Sequence, residues 1–355
     1  MVVLVVLAIL LGVATFVYAF FRYHELDRTH VTGLVSARAG AAFDVLVVGT
    51  SPVGASNSRA HNSGASSSKL TASVILLARI DPQTHEIRMI AVPPQTEVAV
   101  ANPAGGASST LPIADTLETG PGTLVRTITS DFDVPVTDYL SLKAAGVGPI
   151  VSALGGIHLD FAYPVRDAFT GLSVNKSGCQ RVSGSQAQSL FDSRHLYYFA
   201  RGAWRADLGG TSSAMGRENS VFAATVTSSG GIGFDPVELN NLVSSAVANL
   251  TIDNGISEGK LLSLAETFRG FSRAQLAPVA FPVIEARTRD DRGIAVPDPH
   301  ADDAVLARFL SLGTTSSVPE MLHDIHVGLP PGVSVSSGAP VIDKPTPAPW
   351  NPTTC

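Results

Sequence analysis

The chain has 355 residues, 45% of them hydrophobic and 15% charged, with a mean hydropathy of +0.25. It can bury a large core, as one large domain or two ordinary ones. The formal net charge of −6, with no helix-turn-helix pattern, speaks against a nucleic-acid partner.

Met1 to Phe21 carries no charged side chain. About 20 apolar residues at 1.5 Å each match a bilayer core of about 30 Å. The stretch lacks a basic leader and an A-x-A-like cleavage site, so a retained single-pass anchor over 1–22 is preferred to a cleaved signal peptide. Arg22 and Arg28 follow the helix. Charge alone would therefore leave the body in the cytoplasm.

Residues 23–42 form a mixed-charge connector. Phe43 to Val48 reads as a buried strand ended by Gly49-Thr50-Ser51-Pro52, and Asn57 to Ser68 as a Ser/Gly-rich loop. Ser73–Ile80 and Glu86–Val92 read as a hairpin about the turn Asp81-Pro82-Gln83-Thr84. Pro93-Pro94 stops its second strand, because neither residue donates a backbone hydrogen bond. Gln95 thus begins a loop at the end of a core strand, where open α/β sheets place their chemistry.

After a small-residue loop over Ala99–Thr110 come a helix starting in Gly120–Ile128, a strand over Asp138–Leu142, and a helix over Ala144–Leu154 ended by Gly155-Gly156. A strand over Ile157–Phe161 precedes amphipathic helices over Gly184–His195 and Arg217–Val226. Asp235-Pro236 opens another helix as N-cap and N1. Ser257–Phe268 is helical, Val279–Ile284 a strand, and Asp302–Leu312 the last helix. Residues 316–355, ending in KPTPAPWNPTTC, are too Pro-rich for a packed element and read as a tail. Strands alternating with helices across residues 43–315 predict one layered α/β domain. The two cysteines, Cys179 and Cys355, read more simply as free thiols than as a pair across so long a separation.

Generic chemistry is absent. There is no H-E-x-x-H, zinc-spaced cysteine pair or P-loop, and the Gly-rich run at Gly49 lacks a phosphate-loop Lys. Asp290, Asp291, Asp302 and Asp303 read as solvated carboxylates.

Several stretches, in order, resemble the LytR-CpsA-Psr (LCP) family of the actinobacterial type: DVLVVGTS, LLARIDPQTHEIRMIAVPPQTEV, VPVTDYLSLKAAGVGPIVSALGGIHLDF, GCQRVSGSQAQSLFDSRHLYY and MGRENSVF. The resemblance implies an α/β/α sandwich around a mixed central sheet, outside the membrane on one N-terminal helix. It also implies an apolar groove for a polyprenyl-pyrophosphate lipid, Mg²⁺, and transfer of a lipid-borne glycopolymer phosphate to peptidoglycan. Such chemistry needs Arg forks for developing phosphate charge and carboxylates for the metal.

The family's positions are mostly changed here. Its Asp after the first strand falls at Ser51, and its Arg-x-Asp at Thr71 and Ser73. The Arg and Asp of Pro-Arg-Asp-Thr fall at Pro94 and Gln95. Arg-x-Arg falls at Asp192 and Arg194. The Asp preceding Gly-Arg falls at Ala214, that Arg is kept as Arg217, and the following Arg falls at Ser220. Lys69 or Arg59 would be the nearest substitutes for the cation missing at Thr71. One lost preorganised contact costs about 10²–10³ in rate, so losing several together predicts a degenerate, non-catalytic relative.

Arg194 and Arg217 remain as phosphate-binding candidates, with the alternative that each is salt-bridged. His195 lacks a visible partner for a general base. Cys179 falls where actinobacterial relatives carry a disulfide cysteine, but the matching partner position is Asp160, so the resemblance carries no disulfide over. Three readings follow: a membrane-anchored protein that binds polyprenyl-linked glycopolymer, or an active relative, in wall assembly; a divergent Mg²⁺-dependent phosphotransferase; and a regulator of the attenuator type.

Overall fold

The computed structural model describes residues 22–38, 40–52, 69–100, 109–207, 210–229, 236–261, 263, 279–288, 293–298, 301–313, 333–334 and 352–355. The expected anchor, Met1–Phe21, the loop Asn57–Ser68 and the N-cap Asp235 lie outside them. Among the described residues no helix is long and apolar enough to cross a membrane.

In chain order the strands are β1 Asp27–Thr29, β2 Phe43–Pro52, β3 Leu70–Asp81, β4 Glu86–Val92, β5 Glu97–Val100, β6 Ser109–Pro112, β7 Val136–Lys143, β8 Ile157–Phe161, β9 Val165–Asp167, β10 Leu172–Val174, β11 Gly178–Val182, β12 Tyr197–Ala200, β13 Ala203–Ala206, β14 Leu250–Asp253, β15 Val279–Ala280, β16 Val283–Thr288, β17 Gly293–Pro297, β18 Val333–Ser334 and β19 Thr353–Thr354. The α-helices are α1 Pro121–Phe132, α2 Val147–Ala153, α3 Gly184–Asp192, α4 Gly210–Ser229, α5 Pro236–Asn249 and α6 Asp302–Leu310.

The central sheet has seven strands in the order β1-β14-β7-β2-β3-β4-β15. It is mixed: β2 is antiparallel to β3 and parallel to β7, while β3 and β4 form the expected antiparallel hairpin. Period-2 alternation splits its side chains between two faces. Leu46, Val48, Ile75, Leu77, Ile90 and Val92 pack on one face with Leu124 and Ile128 of α1 and Phe309 of α6. Val45, Leu76, Ile80, Ile87 and Met89 pack on the other, where Phe222 of α4 joins them. Burial of each such side chain contributes about 1.5–3 kcal/mol. Core on both faces explains why the hairpin reads as nearly continuous hydrophobics. The layered α/β expectation therefore holds, with a mixed central sheet.

The expected end of the first strand is wrong. Gly49-Thr50-Ser51-Pro52 does not end β2: the register shifts at a bulge between Gly49 and Thr50 that skips Ser73, and Ser51 and Pro52 pair with Thr71 and Leu70. A bulge absorbs one residue without ending the ladder, and Pro52 is tolerated because it is terminal. The single strand expected over Val279–Ile284 is two, β15 and β16, divided at Phe281-Pro282.

The cysteine and tail expectations are also overturned at the C-terminus. Cys179 and Cys355 form a disulfide across a separation of 176 residues. β19 pairs antiparallel with β8, placing Thr353 opposite Asp160, the residue that Cys179 also faces from β11. The Cys355 sulfur thus reaches Cys179 from the strand on the far side of Asp160. Pro-rich composition hides this because Thr353 and Thr354 alone make the ladder, and both can donate.

Candidate functional site

The residues singled out by sequence gather in two sets. The first lies at one end of the central sheet. β2 and β3 run antiparallel, so the end of β2 meets the start of β3 and Ser51 stands opposite Thr71. A Cβ placed on Gly49 would lie 3.1 Å from Ser73 Oγ, which puts Ser73 on the same patch. After β4, the Thr96 amide donates to Pro93 O at 3.0 Å, closing a turn that carries Pro94 and Gln95. That turn is fastened to Ile113 and Ala114: Ala114 N donates to Pro94 O at 3.0 Å and Ile113 N to Thr96 O at 2.8 Å. Thr71 Oγ1 donates to Ala114 O at 3.4 Å. The patch is polar but neutral. Lys69, a candidate substitute cation, sits 3.5 Å from Glu118; Arg59 lies outside the described residues.

The second set is built on the end of α3 and on α4. A capping box starts α3, with the Ser183 hydroxyl accepting from Gln186 N and the Gln186 side chain accepting from Ser183 N. The helix stops at Asp192, shorter than predicted, because Ser193 turns extended. Asp167 holds that exit. Its carboxylate accepts from Ser193 Oγ at 2.7 Å and from the His195 amide at 3.2 Å. Burial pushes this carboxyl up, but hydrogen bonds from Ser193, Phe169, His195 and Thr170 outweigh it and hold it below its ordinary value.

Arg194 emerges there, 43% exposed, with Nη2 donating to Glu218 Oε1 at 2.9 Å. Its Nη1 donates to the Phe191 and Ser193 carbonyls. Arg217 is 1% exposed. Its Nη1 donates to Asp207 Oδ2 at 2.7 Å and Ser213 Oγ at 2.9 Å, and its Nη2 to Ser193 O at 2.9 Å. Burial pulls its guanidinium below the usual range while Asp207 pulls it back up. Arg217 and Arg194 thus converge on one carbonyl, Ser193 O, and each has its own carboxylate. Burial pushes the Glu218 carboxyl up to about 7, against the pull of Arg194 and Arg217.

Three other positions are accounted for. Asp192 is exposed as a residue and accepts from Gln188 at 2.8 Å; the protein packed around its carboxyl partly desolvates it and raises it. Ala214 is buried. Ser220 Oγ lies 2.8 Å from Gly216 O and 2.6 Å from Pro352 O, so it docks the C-terminal strand against α4. Val74 of β3 packs on both side-chain clusters that α4 joins, which links the two sets through apolar contact.

The donors do not fit the Mg²⁺ that the family resemblance implies. Ser51, Ser73 and Gln95 offer neutral oxygens where carboxylates would bind a hard dication. Glu218 and Asp207 are already bound to guanidinium groups. Among the described residues, no group of three or more His, Cys, Asp and Glu side chains is placed to hold a metal. Glu218, Asp207 and Asp167 were missed in the sequence. Glu218 carries a local signal, standing directly after the retained Arg217 and one turn before Phe222. Asp207 and Asp167 carry none.

The sequence model of the LytR_cpsA_psr family matches residues 22–289. The chain belongs to the LytR_cpsA_psr family. It is 26% identical over 202 residues to the "Probable cell wall biosynthesis protein LcpB" of Corynebacterium glutamicum, a match covering 56% of this chain and 45% of the relative. The chain thus spans about half the length of that curated relative. Among solved structures, the LytR-Csp2A-Psr enzyme from Actinomyces oris is similar in fold, with a TM-score of 0.60, 24% identity, and coverage of 80% of this chain and 95% of that one. TagV of B. subtilis has a TM-score of 0.58, 15% identity, and coverage of 77% and 98%. TagT bound to LIIa-WTA has a TM-score of 0.56, 10% identity, and coverage of 80% and 96%. At these identities the three solved structures share the fold with this chain.

Proposed function

We propose that this chain is an envelope protein that binds a polyprenyl-(pyro)phosphate-linked glycopolymer in cell-wall polymer assembly and does not turn it over. The observation that carries this reading is the self-neutralised Arg pair. Arg217 is spent inside the protein on Asp207, Ser213 and Ser193 O. Arg194 alone is open to solvent, tethered by Glu218. One accessible guanidinium binds a phosphate bidentately. Transfer needs several cations converging on the developing charge, and the positions where the family keeps them are Thr71, Pro94, Asp192 and Ser220. Two relatives support the setting: the C. glutamicum protein is described as a probable cell-wall biosynthesis protein, and one structure of TagT holds LIIa-WTA. The membrane anchor over Met1–Phe21 would keep such a lipid within reach, with the body on the extracytoplasmic side and peptidoglycan or an active relative as partner.

The test is equilibrium binding of undecaprenyl pyrophosphate to the full chain in detergent. Saturable binding is expected, weakened about tenfold by Arg194→Ala, the equivalent of about 1.4 kcal/mol. Binding unchanged by that substitution overturns the assignment of Arg194.

One observation favours the alternative of a divergent phosphotransferase. Glu218, held near 7 beside Arg194, titrates where a general acid or base is effective. Phosphate release lost in Glu218→Gln would establish it.

A further inference from the structure

The antiparallel sheet β10-β9-β12-β13 is not part of the site just described, and its outward face is unusual. Residues opposite one another in a ladder share a face, as do alternate residues along a strand. Arg166 stands opposite Tyr197, and Tyr197 opposite Ala206. Phe199 stands opposite Trp204. One face therefore carries Arg166, Tyr197, Phe199 and Trp204 together. Tyr197 is 41% and Phe199 38% exposed. The Phe199 and Trp204 rings meet edge-on at 5.4 Å, and the Arg166 guanidinium lies 4.1 Å over the Trp204 ring. Beyond them, at the β9–β10 turn, Phe169 is 72% exposed and packs on the His195 ring at 4.6 Å.

The face is built to stay open. β12 and β13 are joined by Arg201-Gly202, both at positive φ (53° and 76°). That is the two-residue turn whose twist suits a tight hairpin. The β9–β10 turn is tied by Asp167 accepting from Phe169 N and Thr170 N. Rings held on so constrained a ribbon lose little freedom on binding. A cluster of exposed aromatics is the kind of surface that marks an interaction site.

The local charge is opposite to that of the whole chain. Between residues 162 and 207 all six Lys and Arg side chains are exposed: Arg166 on this face, Arg205 opposite Tyr198 on the other, and Lys176, Arg181, Arg194 and Arg201 elsewhere in the stretch. Of the three carboxylates in that stretch, Asp167 and Asp207 are buried and bonded, and only Asp192 is exposed. The ligand should therefore be anionic. Tyr197 and Phe199 offer electron-rich ring faces, which attract the polarised C–H faces of a sugar ring. Arg forks take carboxylate or phosphate substituents. A β-sheet face that carries its rings in a row along the strands suits an extended chain. Nucleic acid has the same charge and flat bases, so an oligonucleotide stands beside the polysaccharide as an outcome of the test.

We propose that the outward face of β9, β12 and β13 binds an acidic polysaccharide chain, with Tyr197 and Phe199 stacking on its sugars and Arg166, seated on the Trp204 ring, holding its anionic groups. This rests on the preceding reading of an envelope glycopolymer protein and adds a second contact, separate from Arg194.

The test is tryptophan fluorescence and sedimentation of the full chain in detergent with polygalacturonate, using dextran as its neutral counterpart and an oligothymidylate as the nucleic-acid control. Saturable binding to polygalacturonate is expected, at least about tenfold weaker in Tyr197→Ala/Phe199→Ala and in Arg166→Gln. Both variants change exposed side chains, and unchanged melting temperatures verify their fold. No binding, equal binding to dextran, tighter binding to the oligonucleotide, or unchanged binding by the variants each overturns the proposal. Self-association of the wild type that the double variant abolishes also overturns it, because the face would then belong to a second copy. Undecaprenyl pyrophosphate binding is measured on the same preparation. Lipid binding without polysaccharide binding defeats this inference alone, and the converse defeats the lipid reading alone.

Discussion

Glu218 decides what Arg194 can do. To bind a phosphate as proposed, a guanidinium paired with a carboxylate at 2.9 Å must first exchange that partner. The pair is part-exposed on the Arg194 side, so its net strength is about 1 kcal/mol or less. Glu218 titrates near 7, so below that pH it is neutral and releases Arg194. Affinity for an anionic lipid is therefore expected to rise as pH falls from 8 to 6. Glu218→Gln should raise affinity at pH 8 by about fivefold, the equivalent of about 1 kcal/mol, and should flatten the pH profile. Isothermal titration of both proteins at the two pH values checks this. The same group shapes stability. A carboxyl raised on folding binds more protons in the native state between its unfolded and folded values, so its contribution is full below about 4.5 and is lost as pH rises through about 7. Asp44, pushed by burial up to about 6 despite Arg79, works in the same direction.

Among the elements, the junction of α2 and α3 is the tightest. A Cβ on Gly184 would run into the Ser152 hydroxyl and the Gly148 carbonyl, so Gly184→Ala forces the helices apart. Overpacking of this kind costs about 1–3 kcal/mol, to be read as a lowered denaturant midpoint with binding intact. The C-terminal strand depends on its covalent tie. Reduction, or Cys355→Ser, should lower stability by about 2–4 kcal/mol and release β19 from β8, seen as faster amide exchange at Leu159. The β3–β4 hairpin, the helices at Pro121 and Val147, and the strand Ile157–Phe161 were legible because periodicity and caps agree there. The β10-β9-β12-β13 sheet was not. Its strands span three or four residues, Tyr197–Phe199 is apolar on both faces, and Arg201 is not a residue that announces a positive-φ turn. Arg194 and Arg217 were legible as positions, yet their partners Asp207 and Glu218 were not, since sequence spacing does not say which carboxylate a fold brings to which cation.

At the scale of the molecule, the chain has its family's fold, and in the proposed reading the chemistry at one end of its sheet is lost. Ser51, Thr71, Ser73 and Gln95 keep that end polar and neutral. Asp192 and Ser220 stand where cations are expected, and Ser220 is given over to docking the C-terminus. The central sheet and its two apolar faces need no charge at those positions, so the fold does not depend on them. Catalysis does need them, because each preorganised contact to the transition state contributes about 2.7–4 kcal/mol. The most direct measurement is the initial rate of phosphate release from undecaprenyl pyrophosphate by the full chain, with and without Mg²⁺, at a lipid concentration where binding is saturated. The account predicts no release above the protein-free rate in either condition. Release that depends on Mg²⁺ would contradict it and show that other side chains have replaced the lost charges.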